Sequence, residues 1–439
     1  MQEHTWCLET GTKMIRSRRM WAASALPLAA LLALSGCSRG AAAPDEAESV
    51  DLTSGPATGH VTIWAQGVEA QKLPEVLAPF LKENPDLTVD VTELAWASAE
   101  SKYQTSVAGN TTPDIGMLGT TWIANYPQAL QAVPEGLDTS DMFPSALEAA
   151  KVDGVSIGVP LYLDTRVVYY RTDLAQAAGY DTPPTDWEGF QTFTQDMQSK
   201  AGSQWGIGLT TNQTLSFSGN MALPWSAGGD IMNADQTEWT LDSPAMNRGF
   251  EYYKSFFDKG IADPAGASSD VTVMANEFIS GKTPVIMNAP FFGPYMTSIA
   301  GDEFNDKWGV MTVPKDKSST SFLGGALMTV FKESKNPEAS WKVLQYLAEP
   351  STQLAFFKAT GDLPATQSTW QDDALTSDPR LAVFGEQLKA AEITPNLTTW
   401  AQISSKGDQL LEQIARGQSS VDDALAELQT FADGLGTGR

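Results

Sequence analysis

The stretch that decides the fold is Ile157-Gly158-Val159-Pro160-Leu161-Tyr162-Leu163-Asp164-Thr165-Arg166-Val167-Val168-Tyr169-Tyr170. Pro160 favours an extended turn, and the Val and Tyr residues that follow favour a β-strand. A carboxylate and a guanidinium, Asp164 and Arg166, lie in the middle of this extended link. Such a pattern is expected where a chain passes between two lobes and faces a cleft. A buried salt bridge, or a charged pair at a strand end on the surface, explains the same residues, since buried charges are usually paired.

The composition favours a globular protein and argues against nucleic acid as a partner. The 439 residues are 42% hydrophobic, which is ample for a core and suggests two or three domains. The net charge of −25 also argues against binding to an anionic membrane surface, because nucleic acids and such surfaces attract clustered Lys and Arg.

Cysteine and histidine are too scarce for several kinds of catalytic or metal site. Cys7 and Cys37 both precede the globular part, and the two histidines are His4 and His60. A Ser-His-Asp triad or a histidine-ligated zinc would therefore depend on His60, at the edge of the fold. We expect neither a metal nor a cofactor.

The amino-terminal region has the features of an export signal. A basic segment around Arg16 to Arg19 precedes an apolar run that is too short to span a bilayer comfortably. The run ends in Leu34-Ser35-Gly36-Cys37, which resembles a bacterial lipobox. We predict a signal peptide over residues 1–36, with Met14 as an alternative start, and lipidation of Cys37. An ordinary signal peptide with an incidental cysteine is the alternative.

Residues 37–59 are predicted to form a flexible tether, because Ala, Gly, Pro, Ser and acidic residues dominate after Cys37. Beyond the tether, strand-like and helix-like segments alternate, which predicts an α/β fold with a largely parallel sheet. Ligands bind beyond the carboxyl ends of strands in such sheets. The residues at these ends are Gln66 and Glu69 after the first strand, and Thr120, Thr121 and Trp122 after the third.

Short motifs follow one another in a recognisable order along the body: Val61-Thr62-Ile63-Trp64, Pro113-Asp114-Ile115, Gly158-Val159-Pro160, Pro183 to Trp187, Phe278 with Gly281-Lys282, Asn288-Ala289-Pro290-Phe291, Asn336-Pro337-Glu338-Ala339 and Leu363-Pro364. Their order and spacing resemble the maltose-binding-protein-like family, the carbohydrate branch of the solute-binding lipoproteins of ABC importers. The resemblance runs from Val61 to about Ala432.

The resemblance implies a two-lobed periplasmic-binding-protein-like fold, with interleaved lobes and a hinge of three crossovers. The first lobe would comprise residues 60–161 and 312–333, and the second residues 164–309 and 336–439. The crossovers would lie near Pro160 to Asp164, near Gly309 to Pro314 and near Phe331 to Asn336.

The resemblance also assigns roles to candidate site residues. Gln66, Glu69, Thr120, Thr121, Trp122 and Asp164 match positions that contact sugars, and Phe291, Trp400 and Trp225 match stacking or aromatic positions. Carboxylates and Arg166 suit such a ligand because they form charge-assisted hydrogen bonds to hydroxyl groups. Aromatic faces suit it because they cover the C–H patches of a sugar ring. Core packing is the alternative for each aromatic residue.

The function that the resemblance implies is a lipid-anchored, substrate-binding component of an ABC importer, and not an enzyme. It would bind a di- or oligosaccharide, with α-glucosides favoured, and deliver it to the transmembrane subunits of the permease. It would be a monomer at the outer face of the cell membrane, attached only by its lipid. A binder of phosphorylated or peptide solutes and an extracellular glycosidase are the alternatives. A phosphorylated ligand favours an arginine cluster, and only Arg166 lies at a candidate site.

Overall fold

The computed structural model describes residue 52 and residues 55–211 and 216–438. The predicted signal peptide and Cys37 lie outside this part of the chain. Within it, no helix has both the length and the apolar character needed to cross a membrane.

Eleven strands are present in the described residues: β1 Gly59–Gln66, β2 Leu87–Leu94, β3 Ile115–Gly119, β4 Lys151–Val152, β5 Val155–Ser156, β6 Val159–Thr165, β7 Val167–Arg171, β8 Val285–Asn288, β9 Trp308–Met311, β10 Ser321–Val330 and β11 Ala391–Glu392. They form one six-stranded sheet, one three-stranded sheet and a small hairpin of β4 with β5. The two larger sheets form the two lobes of an α/β fold.

The helices of the same residues are α1 Gly67–Glu83, α2 Trp96–Ala108, α3 Pro144–Ala149, α4 Thr172–Ala177, α5 Trp187–Ser199, α6 Ser216–Asn220, α7 Ala222–Ser226, α8 Pro244–Asp258, α9 Val271–Ile279, α10 Phe292–Ala300, α11 Pro337–Ala348, α12 Pro350–Thr360, α13 Asp373–Thr376, α14 Pro379–Leu388, α15 Trp400–Ala415 and α16 Val421–Leu435. Three short 3₁₀ segments supplement them at Ile123–Asn125, Asp302–Lys307 and Ser368–Gln371.

The sheet of the first lobe brings several strand ends to one edge. β1 is parallel to β2 and to β3. β10 runs antiparallel to both β3 and β6, so β6 points the same way as the parallel strands. The carboxyl ends of β1, β2, β3 and β6 therefore meet at the same edge, where open α/β sheets bind their ligands.

Each lobe has helices on both faces of its sheet. In the first lobe, Val61 and Ile63 of β1 pack with residues of α1 and α11 in one core, while Tyr103 of α2 packs in a second core. In the second lobe, Val168 of β7 faces the core formed with α5, α8, α15 and α16, and its neighbour Val167 faces the core formed with α9, α10 and α14. Alternate residues of a strand point to opposite faces, which explains why the neighbours Val167 and Val168 face different cores.

The predicted third crossover near Phe331 to Asn336 is wrong. The Asp114 side chain accepts hydrogen bonds from Ser334 Oγ at 2.6 Å and from the Lys335 backbone N–H at 2.9 Å, so this turn is held on the first lobe. Helices α11 and α12 then pack on the first lobe, contrary to the predicted assignment of residues 336–439 to the second. The chain leaves after α12, where Leu363 forms a bridge with Leu163 and packs in the core of the second sheet.

The predicted tether ends earlier than residue 59. Ala57 is buried, and its backbone N–H donates a hydrogen bond of 2.6 Å to Asn84 Oδ1 at the end of α1. Lys342 Nζ of α11 donates to the Gly55 carbonyl oxygen at 3.3 Å. The last residues of the predicted tether are therefore part of the folded first lobe, and β1 already begins at Gly59.

Candidate functional site

Two acidic side chains predicted as site residues meet at the carboxyl edge of the first sheet. Glu69 lies in the first turn of α1, directly after β1, and Asp164 lies near the end of β6. Tyr162, two residues before Asp164, donates a hydrogen bond of 3.1 Å to Glu69 Oε1. A third carboxylate, Asp362, follows α12 and interacts electrostatically with both Glu69 and Asp164.

Burial raises the pKa of all three carboxyl groups. Burial raises the pKa of Glu69 to about 6, and the Asp164 charge adds to this rise against hydrogen bonds from Tyr162 and Trp96. Burial also raises the pKa of Asp164, partly offset by the Arg166 guanidinium. The pKa of Asp362 lies well above its usual range because the group is buried and is repelled by Glu69 and Asp164. The three groups therefore retain protons at pH values where exposed carboxyl groups are ionised.

Replacing Asp362 with asparagine should stabilise the protein at pH 8. A carboxyl group whose folded pKa is raised supports folding below its unfolded pKa, near 4, and loses that contribution as the pH rises through the folded value. The asparagine side chain cannot ionise, so we expect a gain of about 1–2 kcal/mol in the free energy of unfolding at pH 8 and almost none at pH 4. Urea unfolding at both pH values measures this difference.

The matched control is Asp138→Asn. Asp138 is an exposed carboxylate whose pKa is lowered by hydrogen bonds from Ser140, so its replacement should bring no gain at pH 8. A gain in stability of equal size in both variants would reflect the reduced net charge of the chain. It would contradict the prediction that the buried carboxyl group of Asp362 destabilises the protein at pH 8.

An aromatic pair lies next to the acidic cluster. The rings of Trp96 and Trp122 are 5.6 Å apart and inclined at 60°, an edge-to-face contact. Trp96 opens α2 after β2, is 39% exposed, and donates a hydrogen bond from its indole to Glu69. Trp122 follows β3 and is half-buried. The pair therefore presents partly exposed aromatic surface beside a buried carboxyl group.

Arg166 connects this edge to the second lobe. Its guanidinium lies 3.2 Å from Asp164 Oδ2 and donates a hydrogen bond of 3.3 Å to Asn288 Oδ1 at the end of β8. A cavity of about 190 Å³ adjoins it, lined by Arg166, Gly208, Leu209, Thr210, Ser216, Gly219, Asn220, Met274, Ile286, Met287 and Asn288. Arg166 thus lies between the acidic cluster of the first lobe and a cavity of the second lobe that both polar and apolar residues line.

Comparison with known proteins shows the family of this chain. Residues 75–383 match the family model of the bacterial extracellular solute-binding proteins. The chain belongs to this family. A Brucella abortus (strain 2308) protein that is named as a binding protein is 27% identical over 88% of this chain and 95% of its own length. The galactooligosaccharide-binding protein of Bacillus subtilis (strain 168) is 23% identical over 88% of this chain and 92% of its own.

The structure of the sugar-binding protein MalE from Xanthomonas citri resembles this solute-binding protein with a TM-score of 0.77 and 27% sequence identity. The match covers 86% of this chain and 97% of that one. The predicted two-lobed α/β fold and the predicted family are therefore confirmed.

Two aromatic residues predicted at the binding site of the solute-binding protein lie instead in its core. Trp400, at the start of α15, is 1% exposed and packs against Phe217 and Trp239. Trp225, in α7, is buried in the same core. Their side chains fill the second lobe because both helices carry apolar faces that must be covered. Phe291, in contrast, is half-buried and follows Asn288, which lines the cavity, by three residues.

The smaller predicted residues lie along the edge of the first sheet. Gln66 ends β1 and is fully buried, and its amide atoms make no regular hydrogen bond within the described residues. Thr120 is buried, and its backbone N–H donates to the Gly325 carbonyl oxygen of β10 at 3.2 Å. Thr121 follows it and is half-buried.

Sequence reasoning missed Trp96 and Asp362. Trp96 carries a readable signal, because it follows the second parallel strand as Glu69 follows the first and Trp122 the third. Asp362 lies in Gly361-Asp362-Leu363-Pro364, a stretch that reads only as a turn. Its position in the site depends on where α12 ends, which no local pattern around residue 362 predicts.

Proposed function

We propose that this protein is the substrate-binding component of an ABC importer and that it binds a di- or oligosaccharide between its lobes. The carbohydrate binds at the edge formed by Glu69, Asp164, Trp96 and Trp122, and α-glucosides are the favoured class. The loaded protein delivers the sugar to the transmembrane subunits of the permease. It acts as a monomer at the outer face of the cell membrane, to which a lipid on Cys37 attaches it.

The observation that carries this proposal is the pairing of aromatic surface with buried carboxyl groups. Trp96 and Trp122 offer ring faces and edges to the C–H patches of a sugar ring. Glu69 and Asp164 offer oxygens to its hydroxyl groups, and Arg166 offers donors. The names of the sugar-binding relatives support the same class of ligand.

Support for closure around the ligand comes from the two lobes. Arg166 and Asn288 join the acidic edge of the first sheet to the cavity of the second, so a ligand held there contacts both lobes. Contacts to both lobes favour the closed arrangement over an open one by their differential binding energy.

A thermal-shift panel tests the proposal. Maltose, maltotriose, trehalose, lactose and glucose are compared with glycerol 3-phosphate and a tripeptide, each in large excess over the protein. At least one of the di- or trisaccharides should raise the melting temperature, because a ligand that binds only the folded state stabilises it. A rise with the phosphate ester or the peptide, and with none of the sugars, would overturn the proposal.

Replacing Trp96 with alanine should weaken sugar binding without unfolding the protein. The indole is partly exposed, so its loss removes little core, but it removes ring surface from the ligand and a hydrogen bond from Glu69. We expect a loss of about 1–2 kcal/mol of binding free energy, or roughly five- to thirtyfold in affinity, by calorimetry. Phe431→Ala is the matched control, because Phe431 has a similar exposure of 36% but lies on α16. An equal loss of affinity in both variants would remove Trp96 from the site.

A further inference from the structure

Three carboxyl groups from separate parts of the chain interact electrostatically with Tyr162. Glu69 comes from α1, Asp164 from β6 and Asp362 from the turn after α12. Each of the three acts electrostatically on Tyr162, which is itself buried. The first lobe thus gathers three acids at one point, although they are far apart in sequence.

Arg166 does not provide partners for all the carboxylate oxygens of these three acids. Arg166 lies 3.2 Å from Asp164 Oδ2, but it also donates to Asn288 of the second lobe. Asp164 Oδ1 and Asp362 Oδ2 are buried and have no hydrogen-bond partner among the described residues. Asp362 is only 7% exposed, and its carboxyl group interacts electrostatically with Glu69 and Asp164.

A neutral ligand could supply hydrogen bonds to the unpartnered oxygens of this cluster but no compensating charge. The hydroxyl groups of a sugar can donate hydrogen bonds to the two unpartnered oxygens, but they leave the repulsion among the three acids unchanged. A buried charge is tolerated when it is both hydrogen-bonded and paired with an opposite charge. An ammonium group supplies several N–H donors and a positive charge from a single atom.

We propose that the acidic cluster of Glu69, Asp164 and Asp362 binds a protonated amine carried by the sugar, so that the preferred ligands are basic, amine-bearing saccharides. This inference rests on the proposed function, since it names the class of sugar that the same site takes. The amine lies between Asp164 and Asp362, and the Trp96–Trp122 pair covers the adjoining ring. Arg166 contacts one oxygen of Asp164 at 3.2 Å and leaves the other, Oδ1, available to the amine.

Matched sugars test the inference by titration calorimetry on the purified full chain at pH 6, where sugar amines are protonated. Each set contains an amine, the corresponding alcohol and the neutral N-acetylated amine: glucosamine, glucose and N-acetylglucosamine; galactosamine, galactose and N-acetylgalactosamine; the chitosan disaccharide, cellobiose and the acetylated disaccharide. The maltose series provides further neutral sugars. In at least one set, the amine should bind about tenfold more tightly than both neutral partners.

A proton count separates recognition of charge from a better fit of shape. Burial raises the pKa values of the acids, so they retain more protons at pH 6 than exposed carboxyl groups do, and an ammonium group that binds among them should displace some of these protons into the buffer. The heat of binding should then differ between two buffers of unequal ionisation enthalpy. A neutral sugar bound at the same place should release fewer protons, because it brings no charge to lower the pKa values of the cluster.

Asp362→Asn provides the variant, and Asp138→Asn, which changes an exposed carboxylate, provides its control. Asp362→Asn should reduce the preference for the amine to about threefold or less, while Asp138→Asn should keep it. Urea unfolding shows that both variants are folded.

The outcomes distinguish the inference from the function on which it rests. Neutral sugars that bind as tightly as their amines, or more tightly, overturn the inference and leave sugar binding intact. If no sugar of any set binds, including the maltose series, the proposed function fails and the inference falls with it. A preference for the amine that persists in Asp362→Asn also overturns the inference, because the charge recognised would then lie elsewhere.

Discussion

Replacing Gly325 with alanine should remove much of the stability of the first lobe. Gly325, in β10, has a φ of +135°, which side chains rarely allow, and an added Cβ would lie 2.2 Å from the Tyr162 carbonyl oxygen of β6. Neither atom can turn aside, because the oxygen belongs to the backbone of a paired strand and the position of a Cβ is fixed by the backbone that bears it. We expect a loss of about 3–5 kcal/mol in the free energy of unfolding, or no soluble protein, measured by urea denaturation.

Gly136→Ala separates the two causes of this loss, which are the strained backbone angle and the clash of the added Cβ. Gly136 also has a positive φ, of +96°, but an added Cβ there would meet no atom within 4 Å. This variant should lose about 1–3 kcal/mol, from backbone strain alone. If the two variants lose the same amount of stability, the clash with the Tyr162 carbonyl oxygen contributes nothing. The strands β6 and β10 would then move apart to accommodate the Cβ at no measurable cost.

Replacing Trp400 with alanine should cost about 3–5 kcal/mol of stability, because it empties a large buried volume. The ring packs against Phe217 of α6 and against Trp239, with centroids 6.1 Å and 6.3 Å away. Since α6 lines the cavity next to Arg166, we also expect weaker ligand binding as an indirect effect. Urea unfolding and calorimetry on the same preparation measure the two effects together.

Trp400→Phe is the control for this prediction. It keeps an aromatic ring in the core, so it should retain most of the stability and most of the affinity. The contrary result would be an alanine variant of unchanged stability that no longer binds sugar. That result would return Trp400 to the ligand-contacting position expected from the family resemblance.

The fold could be predicted because its signals are local and repeated along the chain. Strand-like runs and helix-like runs alternate, and a run such as His60 to Ala65 reads as a strand by itself. The charged link of Asp164 and Arg166 stands out because it interrupts an apolar stretch. Its position at the junction of β6 and β7 follows from that pattern, and the structure gives both residues partners across the junction.

The remainder could not be predicted because it depends on contacts between distant parts of the chain. Nothing near Phe331 to Asn336 reveals that Asp114, more than 200 residues earlier, holds that turn on the first lobe. A tryptophan such as Trp400 can face a ligand or fill a core, and its local sequence does not distinguish the two. Only the packing of α15 against α6 places it in the core. Asp362 joins the acidic cluster because α12 returns to the first lobe, which sequence periodicity does not indicate.

The anchoring of Ala57 against Asn84 has a practical consequence for biosensors made from this protein. The chain enters at the amino end of β1, whereas Trp96 and Trp122 lie beyond the carboxyl ends of the parallel strands, roughly 23 Å away at about 3.3 Å per residue. Coupling the protein to a chip or a dye through its amino terminus should therefore leave the ligand entrance unobstructed. Recombinant versions for such a device should start before Gly55, so that Lys342 keeps the backbone contact that fixes the point of attachment.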